Sequence, residues 1–209
     1  MKDRRRDPPY RIRTERLLLR CWNPSDAPLL KNAIDSSLEN LGRWMPWARE
    51  EPTSLEEKAE LLRRFRGRFD LGQDFVYGIF DAAETEVVGG TGLHTRAGDD
   101  ALEIGYWIRD GRVGNGFATE TSAALTRVAF EVCGVDRVEI RVDPANAASL
   151  AIPRRLYYGE EGTLRRRLPN GEDAPSDVTI FSLFAAEVAG TPAADARVEA
   201  FDALGERVL

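Results

Sequence analysis

The sequence is poor in histidine and cysteine, and this limits the chemistry it can perform. It contains one histidine, His94, and two cysteines, Cys21 and Cys133, in 209 residues. A zinc site of the usual type needs three or four closely spaced Cys or His ligands, so we expect no metal centre. A Ser-His-Asp triad is open only if His94 serves it. Two distant cysteines favour buried thiols in a reducing compartment over a disulfide.

Long apolar runs are also missing. No stretch approaches the ~20 apolar residues of a membrane-spanning helix. The first residues, MKDRRRDPPYRIR, lack the hydrophobic segment of a signal peptide. We therefore expect a cytoplasmic protein. The net charge of −6 argues against general binding to nucleic acid or to an anionic membrane.

Hydrophobic periodicity predicts one mixed α/β domain on a largely antiparallel sheet of seven strands, flanked by about four helices. The strand-like segments are RIRTERLLLRCW, DFVYGIFD, EVVGGTGLHT, ALEIGYWI, VDRVEIRVD, EGTLRRRL and DVTIFSLF. The helical segments are NPSDAPLLKNAIDSSLENLGRW, TSLEEKAELLRRFRGRF, FATETSAALTRVAFEVCG and NAASLAIPRRLYY. Ser54 and Glu57 have the spacing of a capping box at the start of the second helix.

The composition changes near residue 187, where small and acidic residues become frequent. We assign residues 10–186 to the domain and residues 187–209 to a C-terminal appendage. The spacing of Val198, Phe201 and Leu204 predicts a helix in this appendage. PNGEDAPS, between the last two strands, is predicted to be a hairpin loop.

GYWIRDGRVGNGFATE, residues 105–120, joins a strand to a helix through a glycine-rich turn. A P-loop would need Gly-Lys-Ser/Thr, and no lysine is present. A Rossmann fingerprint would need a third glycine where Thr119 stands. We expect the backbone N–H groups of residues 113–119 to form an anion site at the helix N-terminus, suited to a diphosphate. The alternative is that Gly114 and Gly116 serve only a tight connection.

Several segments together resemble the GNAT acyl-CoA N-acyltransferases, within them the branch of the ribosomal-protein N-terminal acetyltransferases. The resemblance covers about residues 10–185 and rests on TERLLLRCWNPSDA, LGRWMPWA, EIGYWI, GNGFATE and VDPANAASLAIPRRL…EGTLRRRL. It implies the GNAT fold, acetyl-CoA as co-substrate, no metal, and a protein N-terminus or a small amine as acceptor. Dimers are common among relatives, so the tail after residue 187 is a candidate homodimer interface.

The resemblance also implies which residues bind coenzyme A (CoA). The diphosphate would lie on the amides of the turn, the pantetheine arm along the fourth strand, and Asn146 beside that arm. The residues assigned to CoA are Tyr106, Trp107, Ile108, Val113, Gly114, Asn115, Gly116, Phe117, Ala118, Thr119 and Asn146. A backbone N–H near Tyr106 or Trp107 would polarise the thioester carbonyl.

Two positions depart from the family pattern. The turn usually opens with a basic or amide residue, but here that position is Val113, with Arg112 one place earlier. The helix after Asn146 usually ends Leu-Gly-Phe or Leu-Gly-Tyr, but this chain has Leu156-Tyr157-Tyr158.

Acyl transfer to an amine needs a proton acceptor for the amine and a proton donor for the leaving thiolate. Glu103, on the strand beside the thioester, is the candidate base; a paired strand carboxylate is the alternative. The resemblance points to Ser149 as the acid, with helix capping as its alternative role and Tyr157 or Tyr158 as other donors. We expect direct attack in a ternary complex, because neither cysteine has an obvious basic partner.

Three further residues are candidates for acceptor contact: Trp44, Trp47 and His94. A hydrophobic plug is the alternative for the two tryptophans, and an ordinary hydrogen-bonded histidine for His94. Two other functions stay open on the same fold. One is transfer of succinyl or another acyl group, and the other is a non-catalytic CoA-binding regulatory module.

Overall fold

A central sheet carries the fold. The computed structural model describes residues 7–168 and 174–209, and in these residues nine strands form one sheet. They are β1 (Arg11–Arg13), β2 (Leu17–Cys21), β3 (Phe75–Asp81), β4 (Val87–His94), β5 (Ala101–Ile108), β6 (Arg137–Val142), β7 (Gly159–Leu168), β8 (Ser176–Phe184) and β9 (Glu199–Phe201). Their order is β7-β8-β6-β5-β4-β3-β2-β1-β9. Only the β5–β6 pair is parallel among these described strands, which confirms the predicted mixed α/β class.

Helices cover both faces of the sheet. The described residues form α1 (Ala27–Asp35), α2 (Leu38–Trp44), α3 (Leu55–Asp70), α4 (Phe117–Glu131) and α5 (Ala147–Arg155). One core joins the sheet to α4 and includes Ile104 and Leu125; the other joins it to α1 and α3 and includes Leu18 and Leu62. The capping box of α3 is confirmed, since Glu57 N–H donates to Ser54 Oγ at 3.1 Å and Ser54 N–H donates to Glu57 Oε2 at 2.8 Å.

Two elements predicted as continuous are divided. The first predicted strand folds back on itself as β1 and β2. A tight turn joins them, in which Thr14 N–H donates to the Leu17 carbonyl at 3.0 Å. The first predicted helix breaks at Ser37, whose hydroxyl donates to the Ala33 carbonyl at 2.8 Å and accepts Asp110 N–H at 2.9 Å. A serine hydroxyl that bonds local backbone groups competes with the helical pattern.

The prediction of a helix in residues 187–209 is wrong. After a short 3-10 turn at Ala185–Glu187, the described chain forms β9, which pairs antiparallel with β1. Val198 and Ala200 are buried while Glu199 between them is partly exposed, so a period of two prevails over helical spacing. Leu204, predicted on the buried helix face, is 84% exposed. Pairing covers the edge of β1, which would otherwise stay open.

The two final strands pair antiparallel as predicted. Most of the predicted loop PNGEDAPS, residues 169–173, lies outside the described residues. None of the helices within 7–168 and 174–209 has the length and hydrophobicity that a bilayer crossing requires. Cys21 and Cys133 are both buried thiols.

Candidate active site

The parallel strands β5 and β6 separate near the centre of the sheet. Only Ala101–Glu103 of β5 pair with Arg137–Glu139 of β6, although β5 continues to Ile108 and β6 to Val142. Beyond this pairing, the side of β5 that faces β6 carries backbone groups with no strand partner among the described residues. We call this unpaired stretch between the two strands the slot; β5 leads through the glycine-rich turn to α4, and β6 leads to α5.

The register of β4 and β5 determines which backbone groups face this slot. Arg109 N–H donates to the Val88 carbonyl at 3.0 Å, and the Gly105 carbonyl accepts from Thr91 Oγ1 at 2.7 Å. Alternate residues of an antiparallel strand point to the same neighbour, so the N–H of Trp107 also faces β4. The N–H of Tyr106 points into the slot instead. Of the two amides considered for the thioester carbonyl, the geometry favours Tyr106.

The glycine-rich turn leads into the N-terminus of α4. Gly114 and Gly116 adopt left-handed backbone angles, with φ of +83° and +79°, and Gly116 is the N-cap residue of α4. A Cβ at Gly114 would meet nothing within 4 Å, so the space above it is open. Within the described residues, no hydrogen bond is donated by the backbone N–H groups of residues 113–119. Unpaired N–H groups at a helix N-terminus attract anions.

Arg16, which the sequence did not single out, supplies the charge beside the turn. Val113 is exposed, and the side chain of Arg112 is drawn away by an ion pair with Glu86. Arg16, from the turn between β1 and β2, donates to the Asn115 carbonyl at 3.0 Å and stacks 4.6 Å above the Phe117 ring. The only sequence signal for Arg16 was its place two residues after Thr14 in TERLLLR. This signal does not show that the β1–β2 turn reaches the N-terminus of α4.

Glu120 of α4 holds Arg16 in this place. It accepts from the guanidinium Nε at 2.7 Å, from the backbone N–H of Arg16 at 3.0 Å and from Thr14 Oγ1 at 2.6 Å. The carboxylate is largely covered, while nearly half of the arginine side chain is exposed. The turn thus has a fixed cation at its edge.

The first turn of α5 borders the slot on the other side. Asn146 Oδ1 caps the helix by accepting Ser149 N–H at 3.0 Å, so the capping role belongs to Asn146 and not to Ser149. Tyr106 OH donates to the Ser149 carbonyl at 3.2 Å and ties β5 to α5 across the gap. Within the described residues the Ser149 hydroxyl itself makes no hydrogen bond, which leaves it available to the slot.

The two tyrosines after α5 have different environments. Tyr158 is buried and shares a 2.6 Å hydrogen bond with Thr126. Burial raises the pKa of the Tyr158 hydroxyl, an effect that this hydrogen bond only partly offsets, and that makes it a poor proton donor. Tyr157 is 65% exposed and has a left-handed φ of +64°, at the position where the family usually has glycine.

This backbone angle predicts that Tyr157→Gly stabilises the protein. A side chain at left-handed φ costs ~1–2 kcal/mol of stability, and glycine removes this cost. The greater freedom of glycine in the unfolded chain takes back ~0.4–1 kcal/mol of that gain. We expect the free energy of unfolding to rise by about 0.5–1 kcal/mol in urea denaturation. Tyr157→Ala keeps a Cβ and should give no gain. An equal gain from alanine would contradict the backbone explanation and assign the effect to the exposed ring.

Four neighbouring glycines leave part of the sheet face that carries α1–α3 without side chains, and we call this surface the glycine floor. They are Gly78, Gly90, Gly92 and Gly105. A Cβ at Gly90 would lie 2.5 Å from Trp107 Nε1, so the Trp107 ring lies directly on the floor. Trp47 packs edge-on against this ring, with centroids 6.0 Å apart, and is 40% exposed. Together Trp47 and Trp107 make an aromatic wall. Trp44, the last residue of α2, is partly buried and does not belong to this pair.

Glu103 is buried in an ion-pair cluster. Its Oε1 accepts from Arg96 Nη2 at 2.5 Å, and its Oε2 accepts from Arg96 Nε at 3.0 Å and lies 3.4 Å from Arg141 Nε. The neighbouring Glu139 of β6 pairs with Arg137 and Arg141. The hydrogen bond to Glu103 raises the pKa of Arg96. The structure thus realises the paired carboxylate that the sequence left as the alternative for Glu103.

His94, the last residue of β4, stands opposite Glu103 in the β4–β5 register. Its Nδ1 lies 2.8 Å from Asp74 Oδ1, and its ring lies over Gly92 and Gly105 on the glycine floor. The structure therefore brings His94 to the same face as the aromatic wall. Among the described residues, no group of three or more His, Cys, Asp or Glu side chains is placed to hold a metal ion.

Comparison with known proteins identifies this arrangement. The Acetyltransferase (GNAT) domain matches residues 16–157, which include the separated strands and the turn before α4. The chain belongs to the GNAT acetyltransferase family. This confirms the predicted family and the prediction of an N-acetyltransferase enzyme.

Individual relatives are similar to this chain over most of their own length. YdaF of Bacillus subtilis (strain 168), named provisionally as a ribosomal N-acetyltransferase, is 31% identical over 154 residues, which are 72% of this chain and 82% of YdaF. The [ribosomal protein uS5]-alanine N-acetyltransferase of Escherichia coli (strain K12) is 26% identical over 160 residues, 74% of this chain and 81% of that protein. The structure of Mycobacterium smegmatis RimJ in complex with CoA-disulfide has a TM-score of 0.75 at 23% identity and covers 90% of this chain and 92% of RimJ.

Proposed function

We propose that this GNAT acetyltransferase moves an acetyl group from acetyl-CoA to the α-amine of a protein N-terminus. The observation that carries this proposal is the row of unbonded backbone N–H groups at residues 113–119, next to the open edge of β5. A diphosphate fits these donors, and the slot gives an extended thiol arm a path to the sheet centre. The names of YdaF and of the uS5-alanine enzyme support a protein N-terminus as acceptor.

The residues of the slot divide the chemistry between them. The amides of the turn hold the diphosphate, with Arg16 beside them. Tyr106 N–H donates to the thioester carbonyl and stabilises the negative charge that develops on its oxygen. Ser149 gives a proton to the leaving thiolate, and the wall of Trp47 and Trp107 holds the acceptor peptide. The Trp107 ring, assigned to CoA on the resemblance, thus serves the acceptor, because it packs against Trp47 over Gly90. Ile108 and Asn146 line the arm of the donor.

Direct attack by the amine follows from the state of the cysteines. Cys21 is buried, and burial raises the pKa of its thiol, so it is not a ready nucleophile. Cys133 is buried as well. The amine nitrogen forms its bond to the carbonyl carbon while both substrates are bound, and the carbon–sulfur bond then breaks.

Binding and turnover test the proposal in two steps. A ligand at 100 times its dissociation constant adds about 2.7 kcal/mol, which should raise Tm by about 5–10 °C for a chain of this size. We expect this shift with CoA and acetyl-CoA, followed by thiol release with peptides that begin in alanine or serine. The same peptides with an acetylated N-terminus are the control.

Succinyl-CoA, run in parallel, decides between acyl donors, because the preferred donor supports the faster turnover. No Tm shift with any CoA compound at saturating concentration would refute the proposed binding site. A shift without thiol release from any free α-amine would refute the proposed acceptor.

A further inference from the structure

The His94 ring occupies a place next to the proposed reaction centre. An ideal Cβ on Gly105 would lie 3.2 Å from His94 Nε2, and one on Gly92 would lie 2.7 Å from it. The ring therefore rests flat on two residues that have no side chain. Gly105 directly precedes Tyr106, whose N–H points into the slot, so Nε2 lies over the residue that comes before the amide assigned to the thioester carbonyl.

Asp74 fixes the orientation of this ring. Asp74 Oδ1 lies 2.8 Å from His94 Nδ1, and the carboxylate is mostly shielded from solvent. Burial alone would raise the pKa of Asp74, but the hydrogen bond and charge interaction with His94, together with the charge of Arg96, bring it below its ordinary value. An ionised carboxylate only accepts hydrogen bonds, so in the neutral ring Nδ1 carries the hydrogen and Nε2 keeps a lone pair.

Nε2, the ring nitrogen that does not contact Asp74, is available to accept a proton. Within the described residues Nε2 has no hydrogen-bond partner, and 17% of the His94 side chain is exposed. Glu103, two residues from Gly105 along β5, differs in this respect, because both of its oxygens are engaged by arginines. Taking a proton on Glu103 would weaken these ion pairs, whereas taking one on Nε2 would strengthen the contact between His94 and Asp74.

We propose that His94 Nε2 accepts the proton of the attacking amine and that Asp74 is its positioning residue; this rests on the proposed function. The neutral amine nitrogen bonds to the carbonyl carbon, and one N–H proton passes to Nε2. The carbon–sulfur bond breaks, the electron pair leaves with sulfur, and the thiolate takes a proton from Ser149, which regains one from solvent. The products are the amide and the free thiol, and solvent removes the proton from the imidazolium. A nucleophile, a base and a group that orients the base complete this arrangement.

Steady-state kinetics with acetyl-CoA and an N-terminal alanine peptide test the catalytic role. We expect His94→Gln to lower kcat about 100-fold, within the usual range for a general base, and to change the peptide KM and the affinity for CoA less than threefold. Added imidazole should raise the activity of His94→Ala at least tenfold. Glu103→Gln is the matched comparison and should lose less than tenfold in the fraction that folds.

Two kinetic outcomes would overturn the proposal. A raised peptide KM with unchanged kcat in His94→Gln would make His94 a substrate contact only. A folded Glu103→Gln enzyme without activity, beside an active His94→Gln enzyme, would return the base to Glu103.

Imidazole ¹⁵N NMR gives a second readout that does not need turnover. His94 is the only histidine of the chain, so a protein without a histidine tag has a single imidazole to observe. We expect the neutral tautomer with hydrogen on Nδ1, and loss of this preference in Asp74→Asn. Hydrogen on Nε2 in the neutral wild-type ring would overturn the proposal, since that nitrogen could then accept nothing. Wild-type inactivity on every amine would refute the proposed function, while the tautomer would still decide the role of Asp74.

Discussion

The substitution Gly114→Asp is expected to weaken CoA binding more than a hundredfold. Gly114 lies in the turn whose backbone N–H groups donate no hydrogen bond among the described residues, and a Cβ there would point into open space. A carboxylate at this position would stand next to the bound diphosphate, and a separation of about 5 Å is taken to estimate their repulsion. At an effective dielectric constant of about 20, two unit charges at this distance repel by roughly 3 kcal/mol, which corresponds to more than a hundredfold in affinity.

Gly114→Asn is the matched control for this experiment. Asparagine has nearly the same shape as aspartate, and both residues tolerate the left-handed backbone of Gly114 better than other side chains do. Isothermal titration with CoA at fixed ionic strength should therefore show a loss of less than tenfold for Asn. Equal affinities of the Asp and Asn variants would contradict an anion site in this turn.

The second large effect concerns the choice of amine. At pH 7 a peptide with a free α-amine should be acetylated about 250 times faster than an N-terminally blocked peptide with one lysine. The pKa of a peptide α-amine is about 7.7–8.0, so roughly a tenth is neutral, whereas a lysine amine with a pKa near 10.4 is neutral about once in 2,500 molecules. Only the neutral amine can attack, so the rate ratio follows the ratio of the two neutral fractions.

The same reasoning fixes how the preference changes with pH. Between pH 7 and pH 9 the neutral fraction of the α-amine rises about eightfold and that of lysine about a hundredfold. The rate ratio between the two peptides should therefore fall by about tenfold. Thiol release from both peptides, measured across this range at subsaturating peptide, checks the expectation. A ratio near one at pH 7, or one that stays constant with pH, would contradict an enzyme that selects neutral α-amines.

The sequence predicted elements whose signals are local. The α3 capping box needs only Ser54 and Glu57, three residues apart, and the start of α4 needs only the glycines before Phe117. Both were confirmed. The C-terminal segment failed because Val198 and Ala200 are too few to separate a period of two from helical spacing. What decides between them is the open edge of β1, almost 190 residues earlier in the chain.

The site residues that escaped prediction depend on contacts distant in sequence. Arg16 reaches the turn before α4 only because the β1–β2 turn lies beside it, about a hundred residues away along the chain. The partner of His94 is Asp74, twenty residues earlier, and neither residue lies in a recognisable motif. The sequence left Glu103 open between a base and a paired strand carboxylate, because Arg96 and Arg141 approach it from the turn after β4 and from β6. Such pairs follow from sheet register, which single-sequence patterns do not give.

A crystal structure of the complex with CoA tests the central claim most directly. We predict that diphosphate oxygens lie within ~3.2 Å of several backbone nitrogens of residues 113–119, and that the thiol arm runs along β5 towards Tyr106. CoA bound elsewhere, or phosphates held by side chains while these amides stay unbonded, would contradict the account.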